Sequence, residues 1–398
     1  MLLGVGPDGP IAGRRVAITG IGVLSSVGSG LDAFWSGLHG PAPEGERRVR
    51  DFDPEQWFTT KDARNLDRFA QFSVAVADMA LADAGELDAD PGRSGVIMGT
   101  GVGGLQTLET QILVYAEKGV RRISPRLVPM MMSNAGAAAV SMRSGWHGPS
   151  ETIITACAAG AHSIAHAARL VASGRCDVAI GGAAEAGMTI VGTAAFANMT
   201  ALSTTGRSMP FDVRRDGFVM TEGAGALVLE DWDRAVARGA RIYGELAGGA
   251  STADAHHITA PAPGGSGAAA CMLLAMEDAA IEAGAVAHIN AHGTSTPLND
   301  QAESDAIGKV FGSESPPVTS IKGATGHGLG ASGAIEAVAA VLTIAHASIP
   351  PTVGFEEPDL EIHLDLVSGS ARAWEPGPIL SNSFGFGGHN GCLVITPA

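Results

Sequence analysis

Cysteine is scarce in this chain, with four in 398 residues. Cys157, Cys176, Cys271 and Cys392 show neither the C-x-x-C spacing of a metal site nor the density of a secreted disulfide framework. Free thiols in a reducing compartment are therefore expected. Aromatic residues make up only 5% of the sequence. Elements must then pack through small side chains, which suits 55 glycines dispersed among apolar segments. Positive charge is the minority sign: 25 Lys and Arg against 41 Asp and Glu leave a formal charge of −16. That balance argues against general nucleic-acid binding, and an acidic partner would have to dock on a local basic patch. The first twenty residues, MLLGVGPDGPIAGRRVAITG, lack a charged segment followed by a long apolar one, so no signal peptide is expected. No uninterrupted apolar run of membrane-spanning length is read either. The expectation is a cytoplasmic protein with no membrane partner.

What is present is a steady alternation of strand-like and helical segments. RRVAITG precedes a helical LDAFWSGL, and FAQFSVAVADMALADAG precedes the strand SGVIMGTG. CDVAIGGAAEA reads as a strand, followed by GALVLEDWDRAVARGARIYGELAGGA as strand, helix (Ala235 and Val236 inward) and strand. A helix in AAACMLLAMEDAAIEAG, a strand in AVAHINAHG and a helix in SGAIEAVAAVLTIAHA repeat the theme before final strands in ILSNSFGFGG and GCLVITPA. This is an α/β chain with mixed sheets covered by helices, in one compact body. A faint likeness between halves divides them near residue 245.

The stretch TIITACAAGAHSIAHAARLVASG places Cys157 at a junction. Thr152, Ile153, Ile154 and Thr155 are β-branched and predict a buried strand; Ala161, Ile164, Ala165, Ala168 and Val171 recur at helical spacing up to Gly174. The thiol would sit at a helix N-terminus, where free N–H groups and the dipole favour an anion. Its pKa is therefore expected to fall. Taken alone, the segment fits a small buried cysteine equally well.

Three further stretches could carry chemistry. NAHGTSTPLND puts His292 after a strand, with Thr294, Ser295 and Thr296 in a polar turn. SIKGATGHGLGASGAIE puts Lys322 and His327 in a glycine-rich loop leading to a helix with Glu336. SNSFGFGGHN is an aromatic, glycine-rich turn whose backbone N–H groups can face a site. Function in α/β folds gathers at loops beyond strand ends. His162 and His166 share a helix face, but no HExxH pattern or third ligand accompanies them, so no metal is expected. His256 and His257 read as structural, or at most as part of the rim of a substrate channel. GTGVGG and VAITGIGVLSSVG miss the GxGxxG spacing and serve close turns more readily than a dinucleotide.

Taken together, TACAAG, NAHGTSTPLND, KGATGHGLGASGAIE and NSFGFGGHN resemble, in order and separation, the β-ketoacyl-acyl carrier protein synthases, and PFDVRRDGFVMTEGAGALVLE, residues 210–230, is a further stretch like theirs. The match is to the elongating Cys-His-His type of fatty acid synthesis and to the ketosynthase-α subunits of type II polyketide systems, from about residue 14 onward. The resemblance implies a thiolase-like fold: two similar βαβαβ halves, 1–245 with the cysteine and 246–398 with the histidines, in a five-layered α-β-α-β-α body. It implies that Cys157 carries the acyl group, with an oxyanion hole from the backbone of Cys157 and Phe384. His292 and His327 would stabilise the enolate from decarboxylated malonyl thioester, supported by Lys322 and Glu336. Thr294 and Thr296 would hold the phosphopantetheine arm, Leu108 the acyl-pocket floor, and Phe384, as gate, and Phe386 the remaining substrate contacts. No cofactor or metal is implied beyond the carrier's own arm. Partners would be an acyl carrier protein, bound through Lys61, Arg64, Arg68, Arg121, Arg122, Arg126 and Arg207, and a second subunit. That subunit is either a copy of the chain or a chain-length factor.

There are departures. ALSTTGRSMPFD is several residues shorter than the family pattern, the segment before His292 is clipped, and Gly323 stands where serine is common. Other readings are a cysteine-dependent acyl hydrolase using Cys157, His292 and Asp300, a nucleotide-dependent oxidoreductase, and a non-catalytic chain-length-factor-like subunit. The hydrolase leaves His327 and Lys322 without a task, the oxidoreductase rests on broken glycine patterns, and the third typically lacks the cysteine.

Overall fold

The computed structural model describes residues 13–41, 43 and 47–398. The alternation read from sequence resolves into two runs of five strands. The first comprises β1 (Val16–Ser25), β2 (Ser94–Gly99), β3 (Ser150–Glu151), β4 (Val178–Glu185) and β5 (Gly223–Asp231), laid side by side as β3-β2-β4-β5-β1. The second comprises β6 (Gly244–Ala253), β7 (His288–Asn290), β8 (Val318–Thr319), β9 (Ile379–Gly385) and β10 (His389–Pro397), laid as β8-β7-β9-β10-β6. Strand directions match as well. β2 is parallel to β3 and β4, as β7 is to β8 and β9, while β5 and β10 each run antiparallel to both neighbours. The likeness between halves, faint in sequence, is thus a repeated topology. The two runs touch where Ala17 and Ile18 of β1 pair with Glu245 and Gly244 of β6. The division read near residue 245 falls just inside β6.

The principal helices are α1 (Arg68–Ala84), α2 (Leu105–Lys118), α3 (Ala135–Ser144), α4 (Ala159–Ala172), α5 (Ile190–Asn198), α6 (Ser266–Asp278), α7 (Pro297–Phe311) and α8 (Ser332–His346). Three cores define the five layers. α1 and α3 pack on the outer face of the first sheet, with Phe69, Phe72, Val74 and Val76 against Val96, Met98, Ile180 and Val228. α4 and α8 lie between the sheets and touch strands of both. α6 and α7 cover the second sheet through Met272, Met276 and Ile307. Small residues permit the middle layer. A Cβ on Gly160 would lie 2.5 Å from the Ala334 nitrogen, and one on Gly333 would lie 2.7 Å from the Ala161 nitrogen. Ile335, Val338, Val341 and Leu342 are buried in that layer, each contributing roughly 1.5–3 kcal/mol.

Three readings need correcting. One segment, Leu329–His346, is long and apolar enough to span a bilayer, but it is largely α8, enclosed on all sides. The strand predicted over 152–155 ends at Glu151, and Ile154 is half exposed. β3 is an edge strand whose ladder pairs are Ser150 and Glu151, and beyond them the β-branched run keeps one bond to its neighbour, the Thr100 N–H donating to the Ile153 carbonyl at 3.3 Å. In the short helix Trp232–Ala237, Ala235 is buried but Val236 faces outward.

Candidate active site

The repeated topology brings equivalent loops of the two halves together. Cys157 lies in the turn between β3 and α4, and His327 in the corresponding loop between β8 and α8. His292 follows β7, and the end of β9 closes the group. Three non-glycine residues in these loops hold positive φ: Ala156 at 48°, Ser295 at 68° and Leu329 at 46°. Each costs about 1–2 kcal/mol, the kind of local strain that clusters at working sites.

Cys157 occupies the helical turn Ala156–Ala158, immediately before α4. Its Sγ lies 3.1 Å from His327 Nε2. The backbone N–H groups of Phe386 and of Cys157 itself also act on the sulfur. The second amide at the thiol is therefore that of Phe386, whereas the sequence suggested Phe384. The Phe384 ring instead packs edge-on to His292, with ring centres 5.9 Å apart. Gly385 makes this approach possible, since a Cβ there would meet the Cys157 nitrogen at 3.0 Å.

The expected fall in the thiol pKa does not occur in the resting site. Burial pushes it up to about 11, outweighing Lys322 and the two amides. The helix N-terminus is present, but the sulfur has lost its water, and desolvation wins.

The two histidines are held differently. Lys322 Nζ has three N–H groups and three acceptors: the His292 carbonyl at 2.6 Å, His292 Nδ1 at 3.3 Å and Glu336 Oε1. An ammonium can only donate, so His292 Nδ1 accepts and the ring proton sits on Nε2, facing the cavity. Burial, Lys322 and His327 hold His292 well below the ordinary imidazole value, so it is neutral. Burial and then Lys322 do the same to His327. His327 Nδ1 meets Ser332 Oγ at 2.9 Å, and the Gly328 N–H donates to that oxygen. A hydroxyl donates or accepts, so His327 is free to present either tautomer to Cys157. The rings of His292 and His327 stand 5.3 Å apart at 85°. Ligating atoms of Cys157, His292 and His327 come within 4.8 Å of one another, a spacing that could hold a metal. However, the proton Lys322 fixes on His292 Nε2 occupies the lone pair a metal needs.

A cavity of about 350 Å³ opens over these groups. Thr294 and Thr296 line it, with their hydroxyls 2.8 Å apart, as do Phe384 and Phe386. Leu108 does not; it is half-buried on α2, and Val102 lies at the wall instead. The shortened segment after Leu202 folds as a turn closed on Asp216. That carboxylate accepts from Ser203 Oγ and Thr204 Oγ1 at 2.6 Å and from two backbone amides. The hydrolase alternative fails on geometry: buried Asp300 accepts from the Phe211 amide at 2.8 Å and faces Arg215, while the side-chain partner of His292 Nδ1 is Lys322.

Of the basic residues, Lys61, Arg64, Arg121, Arg122, Arg126 and Arg207 are exposed. Arg126 bonds Asn65, and Arg207 pairs with Glu356 at 3.0 Å. Arg68 is structural: its guanidinium grips buried Glu222 with two bonds and lies over the Phe72 ring.

Sequence reading passed over other supports. Glu303 accepts from the backbone of His292 (2.8 Å) and Gly293 (2.7 Å), fixing the His292 turn. Its signal was an acid on the buried stripe of α7 shared with Ala306 and Ile307. Buried Arg47 donates to the carbonyls of Gly323 and Ala324, holding the turn that carries Lys322. No motif announced it.

The β-ketoacyl synthase N-terminal domain matches residues 41–235, and the β-ketoacyl synthase C-terminal domain matches 243–356. The chain is 44% identical to 3-oxoacyl-[acyl-carrier-protein] synthase 2 of Synechocystis, over 96% of this chain and 98% of that one. It is 41% identical to the enzyme of that name from Vibrio harveyi, with the same coverage. Among solved structures, the ishigamide ketosynthase/chain length factor superposes with a TM-score of 0.92 at 33% identity, covering 97% of this chain and all of that one. A type II polyketide ketosynthase bound to its acyl-carrier protein gives 0.89 at 31%, with the same coverage.

Proposed function

The chain belongs to the β-ketoacyl synthase family, a thiolase-fold acyltransferase family, and on that premise we propose that Cys157, His292 and His327 carry its decarboxylative condensation. The carrying observation is the 3.1 Å approach of His327 Nε2 to the Cys157 sulfur, beside the fixed Nε2–H of His292.

The resting thiol is protonated, so attack on an acyl thioester needs a base. His327 Nε2 takes the proton as sulfur adds to the carbonyl carbon, and the amides of Cys157 and Phe386 hold the resulting oxyanion. The pantetheine thiol leaves with the proton from His327, and the acyl group stays on Cys157. A malonyl thioester then enters the same cavity. Nε2–H of His292 and, in its other tautomer, Nε2–H of His327 donate to its carbonyl oxygen. The carbon–carboxylate bond breaks, carbon dioxide leaves, and the electron pair becomes an enolate. Its carbon attacks the acyl carbonyl, and the tetrahedral adduct expels the Cys157 thiolate, which regains a proton from solvent. Two neutral donors suit a charge that appears only during reaction.

The substrates arrive on the phosphopantetheine of an acyl carrier protein, with Thr294 and Thr296 along the arm, in fatty acid or type II polyketide elongation. The reaction as written asks nothing of a metal or redox cofactor. Exposed Ile112, Leu113, Tyr115, Ile190 and Val191 on α2 and α5 form an apolar surface of the kind a second subunit covers. That subunit is a copy of this chain or a chain-length-factor-like partner. Intact-protein mass spectrometry with acyl-carrier substrates tests the reading. An acyl adduct on Cys157 should form and convert to a β-ketoacyl product when malonyl carrier is added. Release of free acid without carbon dioxide would instead identify a thioesterase.

Two further expectations arise here. Val102 lines the cavity wall, so Val102→Phe should exclude long primers while sparing acetyl. The primer profile by product mass spectrometry reads this, and an unchanged profile would place the chain elsewhere. The exposed Arg121 and Arg122 lie just past α2. Arg121→Glu with Arg122→Glu should raise KM for carrier-bound substrates about tenfold, or about 1.4 kcal/mol. Turnover of an N-acetylcysteamine ester should stay near wild type. Equal losses on both substrates would remove these arginines from docking.

A further inference from the structure

Glu185 ends β4 with its carboxylate fully buried, and no step above uses it. Its Oε2 accepts from the backbone of Gly101 at 2.7 Å and of Gly330 at 3.3 Å, and its Oε1 accepts from Thr100 Oγ1 at 3.3 Å. Gly101 and Val102 wall the cavity. Gly330 lies three residues past His327 in the same loop. The two loops meet backbone to backbone: a Cβ on Gly330 would lie 2.2 Å from the Gly101 nitrogen.

The repeated topology gives this contact a counterpart. β4 and β9 hold equivalent places in the two halves. The end of β9 crosses to the Cys157 turn through Gly385 and Phe386. The end of β4 crosses in the opposite sense, to the His327 loop, through Glu185. We infer that Glu185 is a positioning residue that ties the acyl-pocket wall to the His327 loop, so that the length of the acyl chain on Cys157 sets the rate of malonyl decarboxylation. The inference rests on the condensation chemistry proposed above. One oxygen serves both amides, and leaving either donor unpaired in a dry site is costly. A chain that displaces Gly101 and Val102 therefore carries Gly330 with it.

The test is a single turnover. Cys157 is loaded with an acetyl or a decanoyl group from its carrier thioester, and intact mass reports the loading. Malonyl carrier is then added and carbon dioxide release is timed. In the wild type the two chains should give rates differing by about threefold or more, within the usual range of such coupling. In Glu185→Gln, which keeps the size but turns one acceptor into a donor, that difference should collapse while loading is retained. Thr100→Val removes one donor and leaves the carboxylate, so it should narrow the difference partly. A cycle with Val102→Ala should be non-additive. Failure of the wild type to load would overturn the condensation reading itself. Normal loading with the chain-length difference intact in Glu185→Gln would overturn this inference alone. So would equal slowing of loading and carbon dioxide release, which would mark Glu185 as merely supporting the fold.

Discussion

Cys157→Ala should abolish condensation, by at least about 10⁴-fold, while the protein still releases carbon dioxide from malonyl carrier. The two activities separate because they use different atoms. Condensation needs a sulfur to hold the acyl chain, and no other cysteine can substitute, since Cys176, Cys271 and Cys392 are fully buried and none lines the cavity. Decarboxylation needs only donors on the malonyl carbonyl. His292 keeps its Nε2 proton through Lys322, and His327 keeps Ser332, whatever stands at 157. Alanine is smaller than cysteine and meets nothing new, so the fold should persist. Carbon dioxide release and β-ketoacyl product are measured on the same sample. Loss of both from a normally folded variant would show that the thiol takes part in decarboxylation, and the division of labour would fail.

His327→Ala should show the opposite pattern. Carbon dioxide release should drop about 10²–10³-fold, as when one donor to a developing oxyanion is removed. Acylation should survive but change its pH dependence. Without the imidazole at 3.1 Å, attack depends on thiolate formed by ionisation alone, and burial has pushed that thiol up to about 11. A thiol titrating at that pH gains thiolate about tenfold for each pH unit climbed below it. Acylation of the variant should therefore climb steeply between pH 7 and 9. In the wild type His327 is neutral and ready as a base across that range, because burial and Lys322 hold its pKa well below the ordinary value. A flat profile in the variant, with acylation at the wild-type rate, would remove His327 as the base.

Much of this site was legible in the chain because its parts lie on short local signals. Cys157 precedes a helix whose apolar spacing is plain, and α4 forms at Ala159–Ala172 as that spacing requires. His292, His327, Lys322 and Glu336 sit in stretches whose glycines and polar turns mark loops between elements, and the structure brings all of them to one cavity or its immediate support. The α/β class followed from alternation alone. Local periodicity and turn chemistry act over a few residues, so they can be read without knowing what lies across the molecule.

What the tertiary structure decided depends on distance through space. The repeat of the two halves is a matter of strand order, and side chains that merely fill a layer need not match for the order to repeat. Whether Phe384 or Phe386 presents its amide to sulfur turns on a shift of two residues at the end of β9, which a turn rich in glycine leaves open in sequence. Leu108, named from the family resemblance, lies on α2 outside the cavity lining, while Val102, in the loop before α2, lines it. Arg68 reads as a free surface cation, yet it pairs with Glu222, 154 residues away. The thiol pKa is the sharpest case. The helix N-terminus that lowers it is local and visible in the chain, but the burial that raises it is made by the other half of the molecule. Desolvation by distant atoms is the larger effect, so the sign could be settled only by the fold.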